Sequence, residues 1–314
     1  MTELAIAPRK FTHPDHTATG EPRARIALRR LETLWVNTGT LCNIECANCY
    51  IESSPTNDRL VYFTQRDLEP FLVELAEAGE TDCEIAFTGG EPFMAPDMLA
   101  MMEAALTRGH PVLVLTNAMK PMMRPRIQAG LEALAARYRD RILMRVSLDH
   151  HTARNHDRER GEGSFAETLR GLAWLARTGF EIAFAGRRIW GEAEADAKAG
   201  YRHLAASLGI DLDAEDPRRL VLFPEMTPDA DPPEITPACW NKLGVSPDSI
   251  MCASQRMLVR RKGASRPSVV ACTLIPYDPR FELGHTLAEA RGQVALNHPY
   301  CASFCVLGGG SCSA

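Results

Sequence analysis

Short β-rich runs recur through the middle of the chain with helical patterns between them, and this rhythm limits the fold more than any other feature. The runs are residues 34–37, 84–88, 112–116, 142–148, 180–186 and 220–223. Val112-Leu113-Val114-Leu115 is apolar without alternation, as in a strand buried on both faces, which is the habit of parallel sheets. Leu68, Phe71, Leu72, Leu75 and Ala76 follow helical spacing, with Thr64 placed as an N-cap and Gly79 as a stop. Leu169, Leu172, Leu175 and Ala176 repeat the pattern before Gly179, and Tyr201, Leu204, Ala205 and Leu208 before Gly209. Six such units predict an α/β chain with a parallel sheet, either open and doubly wound or curled into part of a barrel.

The flanks differ in texture. Residues 1–30 mix Pro8, Pro14, Gly20 and Pro22 with charges and no sustained period, and are read as an N-terminal arm. Residues 31–223 form the β/α core. Residues 224–248 are rich in proline, from Pro224 to Pro247, and are read as a linker. Residues 249–314 carry Cys252, Cys272, Cys301, Cys305 and Cys312, half of the 10 cysteines, with too few apolar residues for a core of their own. A segment of that kind needs a staple. A net charge of −5 gives no footprint for nucleic acid. No apolar run approaches the ~18–20 residues of a membrane span, and the first ten residues lack a secretory apolar stretch. A soluble, cytoplasmic protein is expected, where clustered thiols bind metal or do redox chemistry more often than they form disulfides.

Cys42, Cys46 and Cys49 have the spacing C-x3-C-x2-C just after the first predicted strand. Three thiolates on one loop suit three irons of a [4Fe–4S] cube and leave the fourth open to a small molecule. Zinc would want a fourth ligand nearby. Gly89-Gly90-Glu91-Pro92 follows the second strand, and its glycines permit close backbone approach. Together the two motifs resemble the radical S-adenosylmethionine (SAM) superfamily over roughly residues 31–223. The resemblance implies a partial (β/α)6 TIM-type barrel with a small C-terminal iron–sulfur extension, its site at the C-terminal ends of the strands. It implies a [4Fe–4S] cluster bound by Cys42, Cys46, Cys49 and SAM. Reductive cleavage of SAM would give a 5′-deoxyadenosyl radical that abstracts hydrogen from a substrate. The electron would come from a protein such as flavodoxin or ferredoxin.

The residues it assigns to SAM are Gly89, Gly90, Glu91, Pro92, Asn117 after the third strand, Ser147 and Asp149 after the fourth, and Arg187 after the fifth, with Thr116 and Arg188 beside them. One departure from the family pattern is Asn48 before the third cysteine, where an aromatic residue is common; Tyr50 follows that cysteine instead. His150, His151 and His156 offer a histidine for catalysis or substrate, with a polar surface loop as the plainer reading. In the tail, Cys252…Gly263…Cys272 and the later cysteines resemble the SPASM/Twitch extension. A single auxiliary [4Fe–4S] cluster is preferred, held by Cys252, Cys272 and two or three of Cys301, Cys305 and Cys312. Cys239 is a substitute ligand, His298 a candidate neighbour, structural zinc the competitor, and Cys83 a core residue.

The leading expectation is a radical SAM oxidoreductase acting on a small molecule or a peptide. The arm is shorter than a leader-binding domain, which tilts the reading toward a small molecule or short peptide. The alternatives are a redox-neutral lyase or mutase and, from another class, an iron–sulfur electron-transfer or sensor protein without SAM turnover.

Overall fold

The strands named above lie side by side in chain order, each parallel to the next. The computed structural model describes residues 9–226 and 230–311. After a two-residue strand β1 (Arg25–Ile26), the core runs β2 (Thr33–Asn37), α1 (Gln65–Glu77), β3 (Glu84–Thr88), α2 (Met98–Thr107), β4 (Val112–Thr116), α3 (Pro125–Tyr138) and β5 (Ile142–Ser147). It continues through α4 (Ala153–Arg160), α5 (Ser164–Thr178), β6 (Glu181–Arg188), α6 (Glu194–Ser207) and β7 (Leu220–Pro224). The proline-rich stretch contributes α7 (Ala238–Leu243), and the tail contributes β8 (Gln255–Val259), β9 (Ser268–Val270), β10 (Glu282–Gly284) and β11 (Val294–Ala295). The principal sheet has the order β10-β9-β8-β2-β3-β4-β5-β6-β7. This is the partial (β/α)6 barrel, widened at one edge.

Both faces of the strands are apolar, for different reasons. Leu34, Val36, Ile85, Phe87, Val112, Val114, Ile142 and Met144 face the helices in one large buried cluster. The alternate residues fill the barrel interior. Met257, Trp35, Ala86, Leu113 and Leu143 stand opposite one another in register across five strands. The small Ala86 leaves room for Trp35, whose indole N–H donates to Gln255 Oε1 at 3.0 Å. Helix α1 buries Leu68, Phe71, Leu72 and Leu75, each contributing roughly 1.5–3 kcal/mol. It starts at Thr64, whose hydroxyl accepts from Asp67 N at 3.2 Å while the Asp67 carboxylate accepts from Thr64 N at 3.1 Å. Helix α2 is apolar nearly all round, with Met98, Met101, Met102, Ala104, Ala105 and Leu106 buried, and so gives no clean stripe to read from sequence.

The flanks differ from their sequence reading. Strand β8 pairs in parallel with β2, and β9 and β10 add antiparallel strands beyond it, so the sheet continues into residues 249–314. The arm pairs β1 with β11. Phe11, Ala24 and Ile26 are buried in one cluster with Ile250, Ile275, Phe281, Val294 and Leu296. The tail's core is therefore shared with the arm, and residues alone too few to form a core succeed jointly. The proline-rich stretch is partly ordered: it holds α7, Ile235 is buried, and Glu234 pairs with the buried Arg23 at 2.5 Å. No helix among the described residues is long and apolar enough to cross a membrane.

Candidate active site

The segment between β2 and α1 arches over the C-terminal ends of the strands and carries Cys42, Cys46 and Cys49. All three line one cavity with Gly89, Gly90, Asn117, Ser147, Asp149 and Arg187, and with Tyr50, Phe223 and Leu274, so seven segments far apart in sequence contribute to one site. The loop is fastened at several points. Cys42 N donates to Ser54 O at 3.0 Å and Ser53 N to Cys49 Sγ at 3.3 Å. Ala47 N donates to Glu159 O at 2.8 Å and Asn48 Nδ2 to Glu159 Oε2 at 2.8 Å. Arg187 donates to the Asn48 carbonyl and lies 4.4 Å over the Tyr50 ring. Asn48 thus ties the loop to α4, and the aromatic surface on this side of the cavity comes from Tyr50.

The glycine pair explains how the loop seats on the sheet. Gly90 N donates to Gly39 O at 2.7 Å, and a Cβ on Gly90 would lie 2.1 Å from Leu41 O. Gly89 has φ +140°, and a Cβ there would lie 2.5 Å from Gly39 O. Glu91 and Pro92 correct the sequence reading, because neither lines the cavity. The Glu91 carboxylate is buried and spent on the protein: it accepts from Thr116 Oγ1 at 2.8 Å, Asn117 N at 2.9 Å and Phe93 N at 3.2 Å. It locks the end of β3 to the end of β4 and so aims Asn117, whose Nδ2 is 4.0 Å from Cys42 Sγ. Pro92 begins the short 3-10 turn behind it.

Arg160, which the sequence reading missed, is the central charge. It ends α4, lines the cavity, and makes two bonds to Asp149, Nε to Oδ2 at 2.8 Å and Nη2 to Oδ1 at 3.1 Å. Burial opposes ionisation of Asp149, but the Arg160 charge and hydrogen bond hold its carboxyl below the ordinary range. Burial likewise works against the Arg160 charge, and Asp149 and the nearby Cys46 more than offset it. Burial pushes the Cys42 thiol up to about 12. A bound cationic cluster would supply the charge that ionises these thiols. No sequence signal marked Arg160; its role depends on where α4 ends, at Gly161 with φ 97°. Arg188 points elsewhere, to Gly308 O at 2.8 Å and Glu194 at 3.2 Å. His156 is fully buried, with neither ring nitrogen bonded among the described residues, and burial pulls it down to about 4.

The second cysteine group is brought together too. Cys252, Cys272, Cys301 and Cys305 line one small cavity whose other walls are apolar, among them Ile250, Ile275, Phe281 and Leu296. Cys301 and Cys305 sit on a six-residue π-helical turn, Cys301–Val306. Burial raises Cys252 to about 12 and Cys272 to about 11. Four thiols in a pocket otherwise lined by apolar side chains and Tyr300 are a donor set for a thiolate-bound cluster. Cys239 does not line this cavity; its Sγ accepts from Thr236 N at 3.4 Å. Nor does His298, which accepts from Tyr300 N at 3.1 Å. Cys312 lies outside the described residues. Cys83 is buried at the start of β3. The two sites touch: Cys272 lines the tail cavity, Thr273 lines the first, and Leu274 lines both.

Comparison with known proteins agrees with this geometry. Residues 36–190 match the radical SAM superfamily. The chain is 34% identical over 142 residues to the antilisterial bacteriocin subtilosin biosynthesis protein AlbA of Bacillus subtilis (strain 168), covering 45% of this chain and 30% of that one. It is 32% identical over 139 residues to the mycofactocin maturase MftC of Mycobacterium ulcerans (strain Agy99), covering 44% and 35%. The match thus spans about a third of the length of these relatives. The fold is similar to that of Streptococcus suis SuiB bound to S-adenosylmethionine, with TM-score 0.59 at 12% identity over 81% of this chain and 63% of that one. The chain belongs to the radical SAM superfamily, which implies a [4Fe–4S] cluster and SAM as its cofactors.

Proposed function

We propose that the chain is a radical SAM enzyme that oxidises a peptide side chain, with an auxiliary cluster in its tail. Cys42, Cys46 and Cys49 would hold the cluster that binds SAM. Gly89, Gly90, Asn117, Ser147, Asp149 and Arg187 would line the SAM and substrate positions. When bound, the pair supplies a 5′-deoxyadenosyl radical able to remove hydrogen from a C–H bond. The chain's own residues orient and enclose: Glu159, Asn48 and Arg187 hold the loop, Arg160 and Asp149 set the local charge, and Tyr50 and Phe223 keep water from the wall. Cys252, Cys272, Cys301 and Cys305 would hold a second cluster, suited to accept the further electron that net oxidation releases.

The observation that carries this reading is the continuous segment Cys272-Thr273-Leu274, which joins the four-thiol cavity to the three-thiol one. A redox-neutral lyase has no use for such a junction. A peptide substrate is favoured over a small metabolite because the relatives include a bacteriocin biosynthesis protein and a maturase. Domain limits follow as part of the proposal: a core of about 31–223, and an auxiliary region of 249–314 completed by the arm. The test is anaerobic reconstitution followed by iron and sulfide analysis. Two cubes predict about eight irons per chain, falling to about four in the Cys42/Cys46/Cys49→Ala variant. About four in the wild type and none in the variant would refute the auxiliary cluster. SAM left intact under reductant would refute the enzyme reading.

A further inference from the structure

Beside the cavity, the loops after β5 and β6 bring His150, His151 and Glu192 together, one donor atom of each within 4.8 Å of the others. None of the three lines the cysteine cavity, although Asp149, the preceding residue, does. The two imidazoles are stacked, with centroids 4.1 Å apart and planes at 28°. Trp190 stands edge-on to His150 at 5.5 Å, and Tyr201 edge-on to His151 at 5.7 Å. Helix α6 accommodates the pair: a Cβ on Gly200 would lie 2.4 Å from His151 Cε1 and Nε2. A mid-helix glycine is unfavourable relative to alanine, and here it makes room for the ring. His151 Nδ1 is nonetheless buried with no hydrogen-bond partner among the described residues, a state that is unfavourable unless something is bound there.

We propose that His150, His151 and Glu192 form a site for one divalent cation of the zinc class, separate from both cysteine sites. Two imidazoles and a carboxylate are a donor set for borderline metals, with positions left open for a further ligand. The donors are His151 Nδ1, His150 Nε2 and a Glu192 carboxylate oxygen. Without metal, His150 Nδ1 accepts from Thr152 N at 3.0 Å, and its Nε2–H donates to Glu192 Oε1 at 2.8 Å. Metal binding exchanges the tautomer: the proton moves to Nδ1 and is donated to Thr152 Oγ1, already 2.8 Å away, while Thr152 N–H gives up Nδ1 as its acceptor. That outer bond is the usual support of a metal-bound histidine. Ligands about 2.0–2.2 Å from zinc stand closer together than 4.8 Å, and the Glu192 side chain, 27% exposed on its loop, supplies the closing movement.

The test is zinc retention by the anaerobically reconstituted full chain, dialysed to equilibrium against micromolar Zn2+ and analysed for zinc and iron together. Glu192→Gln and His151→Phe are each expected to retain about one zinc fewer per chain than the wild type, with iron unchanged. His151→Phe keeps a ring to stack against His150 and Gly200, and Glu192 is too exposed for its loss to unfold the chain. Equal zinc in the wild type and both variants, or no zinc held by the wild type, overturns the site.

Discussion

The two cysteine sites reach similar donor sets by opposite routes. The first takes three thiols from eight consecutive residues on one loop, among charges and amides: Arg160, Asp149, Asn117 and Arg187. The second takes single thiols from Cys252 and Cys272, then two from one turn, and surrounds them with aliphatic and aromatic walls. A loop site of the first kind needs little tertiary structure to gather its ligands but much to hold its surroundings. The second needs the fold itself to exist. The first is lined by charges and amides; the second is lined almost wholly by apolar side chains.

Breaking the first site should have the largest effect. Replacing Cys42, Cys46 and Cys49 together by alanine is expected to abolish 5′-deoxyadenosine formation from SAM, read by chromatography. It should leave the iron of the tail, about half the total. Cys272→Ala should do the reverse: iron falls by about half while SAM cleavage under dithionite persists and substrate oxidation is lost. Loss of SAM cleavage in this variant would mean that the two sites are not separable.

A smaller effect sharpens how the first loop is seated. Gly90→Ala forces a methyl against Leu41 O, where a Cβ would lie 2.1 Å away, and backbone cannot yield as a side chain can. A loss of about 1–3 kcal/mol in urea unfolding is expected, with weaker iron retention at Cys42. Unchanged stability would show that the loop has slack. An effect of comparable size, visible only as pH is varied, concerns His156, one turn before Arg160. Its folded value near 4 lies below the ordinary 6.5, so the unfolded chain binds the proton more readily. Its contribution is present above about pH 6.5 and is lost as pH falls toward 4, by roughly 3 kcal/mol at most. The wild type should lose more stability than His156→Leu between pH 7.5 and 5; equal losses would place the titration elsewhere.

Much of the core was legible because parallel strands buried on both faces leave unbroken apolar runs. Five of the six predicted runs match strands to within one residue, and β6 extends to Arg188 from a run predicted over 180–186. The cysteine loop was legible because its ligands are neighbours in sequence. Glu91 was misplaced because a carboxylate after Gly89-Gly90 looks the same in sequence whether it faces a ligand or, as here, Thr116 and Asn117. Arg160 and Leu274 were missed because an arginine ending a polar helix, or a leucine in a loop, carries no local mark.

The sequence by itself determined the strand-and-helix rhythm, the three-thiol loop and the need for glycine where that loop meets β3, since each depends on residues close along the chain. Tertiary structure alone decided that the arm completes the tail's core through Phe11, Ala24 and Ile26, that β8 extends the sheet beyond β2, and that four scattered thiols share one cavity. Those contacts join segments far apart in the chain, such as Arg25 with Ala295, 270 residues away. Burial of apolar surface is non-directional, so local sequence marks a residue as destined for the interior without naming its partners.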